Sequence, residues 1–126
     1  MISSLMIVLL IIVAFFAINL STRLRAKNAA KIVSEDEFQK GSHRGQIIDL
    51  RETRDFDAGH VLGARSMPYS TLKTFYGNIR SDLPVYLYDQ GMTISMRAAI
   101  LLNKKGYKKL YILKSGYRNW NGKTKK

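Results

Sequence analysis

The sequence predicts an α/β domain, a mostly parallel sheet covered by helices on both faces, carried behind one N-terminal transmembrane helix. Three observations predict it. An almost unbroken apolar run opens the chain from Ile2 to Leu20, interrupted only by Ser3, Ser4 and Asn19 near its ends. After it, short β-branched and aromatic runs alternate with helical patterns, as strand–helix–strand units require. What remains beyond the run is about 100 residues, enough for one compact domain with its own core.

The apolar run is long enough to cross a bilayer. A helix rises about 1.5 Å per residue, so a hydrocarbon core of about 30 Å takes about 20 residues. A cleaved signal peptide has basic residues before its apolar core and a small-x-small site after it. Nothing basic precedes this run except the terminal amine, and Ser21-Thr22-Arg23-Leu24-Arg25-Ala26-Lys27 follows it. The pattern favours an uncleaved anchor over residues 1–22 and a basic juxtamembrane connector over 23–30. Lys and Arg flanking a span tend to stay cytoplasmic, so the N-terminus is expected outside and the domain in the cytoplasm.

The net charge is +12, from 21 Lys and Arg against 9 Asp and Glu. All the acids lie between Glu35 and Asp89, whereas Asn103 to Lys126 holds none and is rich in lysine. Such a block is a solvated basic face or a contact for a polyanion. With a membrane helix in the same chain, lipid is the nearest polyanion, reached through the helix and its basic flank. No basic array interleaved with stacking aromatics is present, so no nucleic acid is expected. The chain contains no cysteine. That excludes disulfides, thiolate metal sites and thiol nucleophiles, and neither a metal nor another cofactor is implied.

The elements of the domain, residues 31–122, follow in order. Lys31-Ile32-Val33 is a short strand. Ser34 caps a helix with Glu37 at the capping-box position, and Gly41 and Gly45 end it. Gln46 to Leu50 is a strand, Thr53 to Ala58 a short helix closed by Gly59, and Ala64 to Met67 extended before Pro68. Ser70 caps a helix running to about Tyr76. Pro84 to Tyr88 is the clearest strand. A loop over Asp89–Ile94 leads to Ser95, which starts a helix over Met96–Lys105 ended by Gly106. Leu110 to Leu113 is the last strand, and Ser115-Gly116 turns into a short helix carrying Tyr117 and Trp120. Residues 123–126 are a basic tail. In parallel sheets ligands sit beyond the carboxyl ends of the strands, and the loop after Tyr88 meets a helix N-terminus there, a natural anion site.

Asp49-Leu50-Arg51, then Phe56, then Gly59-His60-Val61-Leu62-Gly63-Ala64, then Pro68 resembles the rhodanese domain. So do the strand–loop–helix from Val85 to Leu102, Gly106-Tyr107 and Gly116-x-x-x-Trp120. The likeness runs from Ile32 to Gly122 and is nearest to membrane-anchored, single-domain bacterial members. It implies a five-stranded parallel sheet with helices on both sides. It also implies a catalytic cysteine at the end of the central strand, carrying sulfane sulfur as a persulfide inside a loop of backbone N–H groups and an arginine. In this chain the cysteine position is Asp89, the loop glycine is Met92 and the loop arginine is Ile94, whereas Ser95 and Arg97 match. A carboxylate does not carry sulfane sulfur as a thiolate does. Met92 restricts the backbone and Ile94 removes an anion donor. The related phosphatases need the same cysteine, so that activity is excluded too.

The candidate site is therefore the anion-loop equivalent Asp89, Gln90, Gly91, Met92, Thr93, Ile94 and Ser95, with no catalytic residue assigned. Three readings of Asp89 stand open: a carboxylate fixed by loop and helix N–H groups, the organiser of a binding pocket, and a phosphoryl-accepting nucleophile. The last lacks the second acid and Mg²⁺ site that its chemistry needs. The resemblance gives His60 a structural turn role. Asp49 and Arg51 read as an internal ion pair, and Trp120 as a core or rim aromatic. The function that follows is a catalytically inactive binding or adaptor module at the cytoplasmic membrane face, with an unidentified protein partner. The alternative is a sulfurtransferase-related protein handling sulfane sulfur with an external thiol carrier.

Overall fold

The computed structural model describes residues 2–126. Helix α1, Ile2–Ala29, runs unbroken from the apolar stretch through Arg23, Arg25 and Lys27. At 1.5 Å per residue its 28 residues extend about 42 Å. It is long and apolar enough to cross a membrane, with a mean hydropathy of 2.7. From Leu5 to Leu20 it carries exposed apolar side chains, among them Leu5 and Phe16, a surface better suited to a bilayer than to water. The last turns behave differently. Ala26 is fully buried, and Ala29 and Ala30 are nearly so, because α1 packs there on α5, Thr93–Lys104. Residues 23–29 are thus helical, and Ala26, Ala29 and Ala30 join the domain core while their basic neighbours stay exposed.

Strands β1 (Lys31–Val33), β2 (Gln46–Asp49), β4 (Ala64–Ser66), β5 (Val85–Tyr88) and β6 (Leu110–Leu113) form one five-stranded sheet in the order β1-β6-β5-β2-β4. Every pairing is parallel. Strand β5 is central and buried along its length, and its residues alternate between two cores. Val85 and Leu87 join Ile48, Leu72, Leu102 and Ile112 on the face covered by α1, α4 (Tyr69–Phe75) and α5. Tyr86 and Tyr88 join Phe38 and Leu113 on the face covered by α2 (Glu35–Ser42). The predicted five-stranded α/β architecture with helices on both sides is the observed one.

Four details differ from expectation. Gly41 lies inside α2 rather than ending it, because any Cβ there would collide with the Tyr86 hydroxyl and the helix has to pass close over β5. Ser70 sits within the first turn of α4, and Pro68, with its fixed φ, takes the cap position. Helix α5 begins at Thr93, two residues ahead of Ser95, so the loop is shorter than the sequence suggests. The basic tail is ordered in part. Strand β7 (Thr124–Lys125) pairs antiparallel with β3 (His60–Val61), with His60 opposite Lys125.

Candidate functional site

The site forms where β2 and β5 end side by side. Asp49 is paired with Tyr88 across the two strands, and each chain then turns outward, through Leu50 to Glu52 on one side and Asp89 to Met92 on the other. Below this rim lies a buried, hydrogen-bonded polar cluster. Asp49 has no exposed surface. Its carboxylate accepts from the Arg51 backbone N–H at 2.9 Å, Arg51 Nε at 3.1 Å and Arg51 Nη2 at 2.7 Å. Tyr88 donates its hydroxyl to the same carboxylate at 2.7 Å and accepts from the Val61 N–H at 3.0 Å. Arg51 Nη2 also donates to the Gly59 carbonyl at 2.7 Å, and the guanidinium carbon lies 4.0 Å from the centre of the Tyr117 ring.

The electrostatics follow from this enclosure. Burial opposes the Arg51 charge, and the hydrogen-bonded Asp49 carboxylate more than offsets it, so the guanidinium stays above its ordinary value. Burial drives the Tyr88 hydroxyl well above the ordinary tyrosine range, and its bond to Asp49 pushes the same way. At neutral pH the hydroxyl therefore donates to Asp49. A buried ion pair is retained best when hydrogen bonds fill its remaining lone pairs and protons; here Asp49 accepts on both oxygens, and Arg51 donates from its backbone N–H, Nε and Nη2.

Asp89 stands directly beyond β5 and is only 5% exposed. Its Oδ1 accepts from the Ser95 backbone N–H at 3.2 Å and from the Ser95 hydroxyl in a short hydrogen bond. Ser95, fully buried in the first turn of α5, thus supplies both donors. The expectation that several loop N–H groups converge on the carboxylate is not met. With Met92 at φ −139° and the helix already begun at Thr93, the turn is too short to wrap around it. The Asp89 and Gln90 carbonyls are held from the other side, by Tyr117 N–H at 2.8 Å and Arg118 N–H at 3.2 Å. Gly116, at φ 70°, makes that approach possible, since a Cβ there would collide with the Gln90 and Gly91 carbonyls.

The remaining loop residues divide by exposure. Gln90 and Thr93 are exposed, Gly91 is half-buried, and Met92 and Ile94 lean on the core under α5. A cleft of about 290 Å³ opens between the two strand ends, lined by Leu50, Tyr69 and Ile94 and rimmed by Arg51, Glu52, Asp55 and Asp89. Tyr69, Glu52 and Asp55 were not singled out from the sequence. The one available signal was that both acids flank the start of α3 (Thr53–Ala58), next to the Asp49-Leu50-Arg51 turn. His60 and Trp120 lie away from this cleft. His60 is stacked on Phe56 at 3.7 Å, with Nδ1 2.9 Å from the Phe56 carbonyl oxygen. Trp120 packs edge-on to Phe38 at 5.8 Å and donates to the Lys123 carbonyl.

A strand-end loop feeding a helix N-terminus, an Asp–Arg pair beneath it and a five-stranded parallel sheet make a recognisable combination. The model of the rhodanese-like domain matches residues 34–123. The chain is 43% identical to the uncharacterized protein YqhL of Bacillus subtilis (strain 168) over 120 residues, 95% of each chain. It is 31% identical over 74 residues, 59% of this chain and 70% of the other, to the thiosulfate sulfurtransferase GlpE of Tolumonas auensis. Among solved structures, a rhodanese-related protein from Thermoplasma volcanium superposes with a TM-score of 0.70 at 14% identity, over 75% of this chain and 97% of that one, a likeness of fold. Fold and sequence agree that this chain belongs to the rhodanese-like domain family, related to the sulfurtransferases.

Proposed function

We propose that this protein is a membrane-anchored rhodanese-like module that does not transfer sulfur and acts by binding at the cytoplasmic face of the membrane. The observation that carries this reading is Asp89. A carboxylate, buried and held by Ser95, stands at the end of the central strand, in a chain without any cysteine. Sulfane sulfur transfer needs a nucleophile that forms and releases an S–S bond, and a carboxylate does neither. The anion loop is altered in step, with Ile94 offering a hydrocarbon where the family resemblance implies an arginine.

The anchor reading rests on α1. Its apolar turns suit the hydrocarbon, and Arg23, Arg25 and Lys27 follow on the same helix, a flank of positive charge that supports a cytoplasmic domain. Because the last turns of α1 are packed into the core, the domain is held against the bilayer rather than tethered at a distance. Membrane lipid is then one partner, through the helix and its basic flank, and a protein docking at the Asp89 cleft is the other.

The test is turnover. Purified full-length protein, given thiosulfate and cyanide, forms thiocyanate no faster than buffer. Asp89→Cys alone restores little, and Asp89→Cys combined with Met92→Gly and Ile94→Arg restores more. Protein-dependent turnover by the parent chain, with or without an added carrier thiol, would overturn the non-enzymic reading.

A further inference from the structure

The charge in the Asp89 cleft runs against that of the rest of the molecule. The chain has a net charge of +12 and only 9 acids. Three of those acids, Glu52, Asp55 and Asp89, line this one cleft. None of the three is in an ion pair among the described residues, whose salt bridges join Glu37, Asp36, Asp49 and Asp82 to Lys31, Lys40, Arg51 and Arg80. The single cation on the rim, Arg51, is turned inward and neutralised by Asp49 at 2.7 Å, with a second bond to the Gly59 carbonyl. The cleft therefore presents uncompensated negative charge.

A second observation concerns Asp89 itself. The residue is 95% removed from solvent, and both hydrogen bonds its carboxylate receives go to Oδ1. Oδ2 receives none, yet it is not among the sealed, partnerless side-chain atoms, which are Ser66 Oγ and Ser115 Oγ. Asp89 lines the cleft, so an oxygen that is neither partnered nor sealed has the cleft beside it. A nearly buried carboxylate with one open oxygen is an unfilled acceptor, and a charged donor is the group that fills it best.

We infer that the cleft binds an organic cation, an alkylammonium or guanidinium group inserted between Leu50, Tyr69 and Ile94 to donate to Asp89 Oδ2, with Glu52 and Asp55 attracting it at the mouth. The inference rests on the non-enzymic reading above and gives its binding site a chemistry. The volume of about 290 Å³ lies at the small end of ligand sites, so the occupant is one side chain or one small amine rather than a nucleotide-sized cofactor. No group of three His, Asp or Glu side chains able to hold a metal ion occurs among the described residues, which favours a cation bearing its own hydrocarbon over a bare metal ion. The apolar walls suit the methylene stem that lysine and arginine carry behind the charge.

The test uses full-length protein in a neutral detergent and three probes: n-butylammonium, the capped tripeptide acetyl-Gly-Lys-Gly-amide, and thiosulfate. Ligand-observed saturation-transfer NMR reads binding. The cationic probes bind saturably and weaken as salt is raised. Tighter binding of the tripeptide assigns the site to a partner's side chain, and tighter binding of butylammonium to a free amine. The double variant Glu52→Gln/Asp55→Asn, changed only at exposed positions, weakens both cations about fivefold, and Asp89→Asn weakens them further. Saturable thiosulfate binding with silent cations, or cation binding unaffected by the double variant, overturns the inference. The same preparations are assayed for thiocyanate formation. Turnover sinks the non-enzymic reading, whereas absent turnover with silent cations sinks the cation site alone.

Discussion

Replacing Asp89 with Asn keeps the side chain's shape and removes its charge. The two Ser95 donors then face a neutral amide, and a charge-assisted pair becomes an ordinary one. The variant is expected to lose about 1–2 kcal/mol of stability, measured by chemical denaturation of detergent-solubilised protein at neutral pH. A variant as stable as the parent would make Asp89 a bystander. Tyr88 carries a second prediction, in pH. Its hydroxyl is held protonated chiefly by burial and then by the bond to Asp49, and Tyr86 and Tyr107 are raised by burial in the same sense. A folded state that grips its protons harder than the unfolded chain is favoured below the ordinary tyrosine value of 10.0 and loses that advantage as pH climbs above it. Thermal stability is therefore expected to fall from about pH 10 upward. Tyr88→Phe should flatten part of that fall and cost about 1–3 kcal/mol at neutral pH, because Asp49 and the Val61 N–H each lose a partner. At this scale the sequence was informative where a residue type forbids a chemistry. The absent cysteine and the hydrocarbon at position 94 needed no coordinates. The open oxygen of Asp89 and the inward turn of Arg51 did, because they depend on which donors a folded neighbour presents.

Among the elements, the loop after β5 depends on a partner remote in sequence. Gly116 brings the 115–118 turn against the Gln90 and Gly91 carbonyls, whereas the space beside Gly106 is open although its φ is also positive. Gly106→Ala is expected to cost only the left-handed strain, about 1 kcal/mol, and Gly116→Ala more than about 2 kcal/mol. Equal costs in denaturation would show that the brace on the loop carries no weight. The strands and most helices were legible, because β-branched and aromatic runs and a Ser-x-x-Glu start are local signals. The misread ends share a cause. Gly41 continues α2 because Tyr86 leaves no room for a side chain, and α5 begins early because Met92 and Ile94 find core to pack on. The pairing of β7 with β3 joins residues more than sixty apart, and no local pattern in a lysine-rich tail announces it.

For the molecule as a whole, α1 carries an apolar stretch long enough to span a membrane and a stretch packed on the domain in one helix, since Ala26 and Ala29 are buried while Leu5 and Phe16 are bare. The protein is expected to stay with membranes through high salt and high pH, which screen charge without loosening an apolar span. A tag at Lys126 should survive protease added outside intact cells, and its cleavage would reverse the orientation. The most direct measurement of the central claim, a rhodanese-like site converted from sulfur chemistry to binding, is the intact mass of the full-length chain after incubation with a sulfane sulfur donor. The account predicts an unchanged mass for the parent, and a gain of one sulfur atom, removed by cyanide, for the variant carrying Asp89→Cys, Met92→Gly and Ile94→Arg. A cyanide-labile sulfur on the parent chain would contradict it.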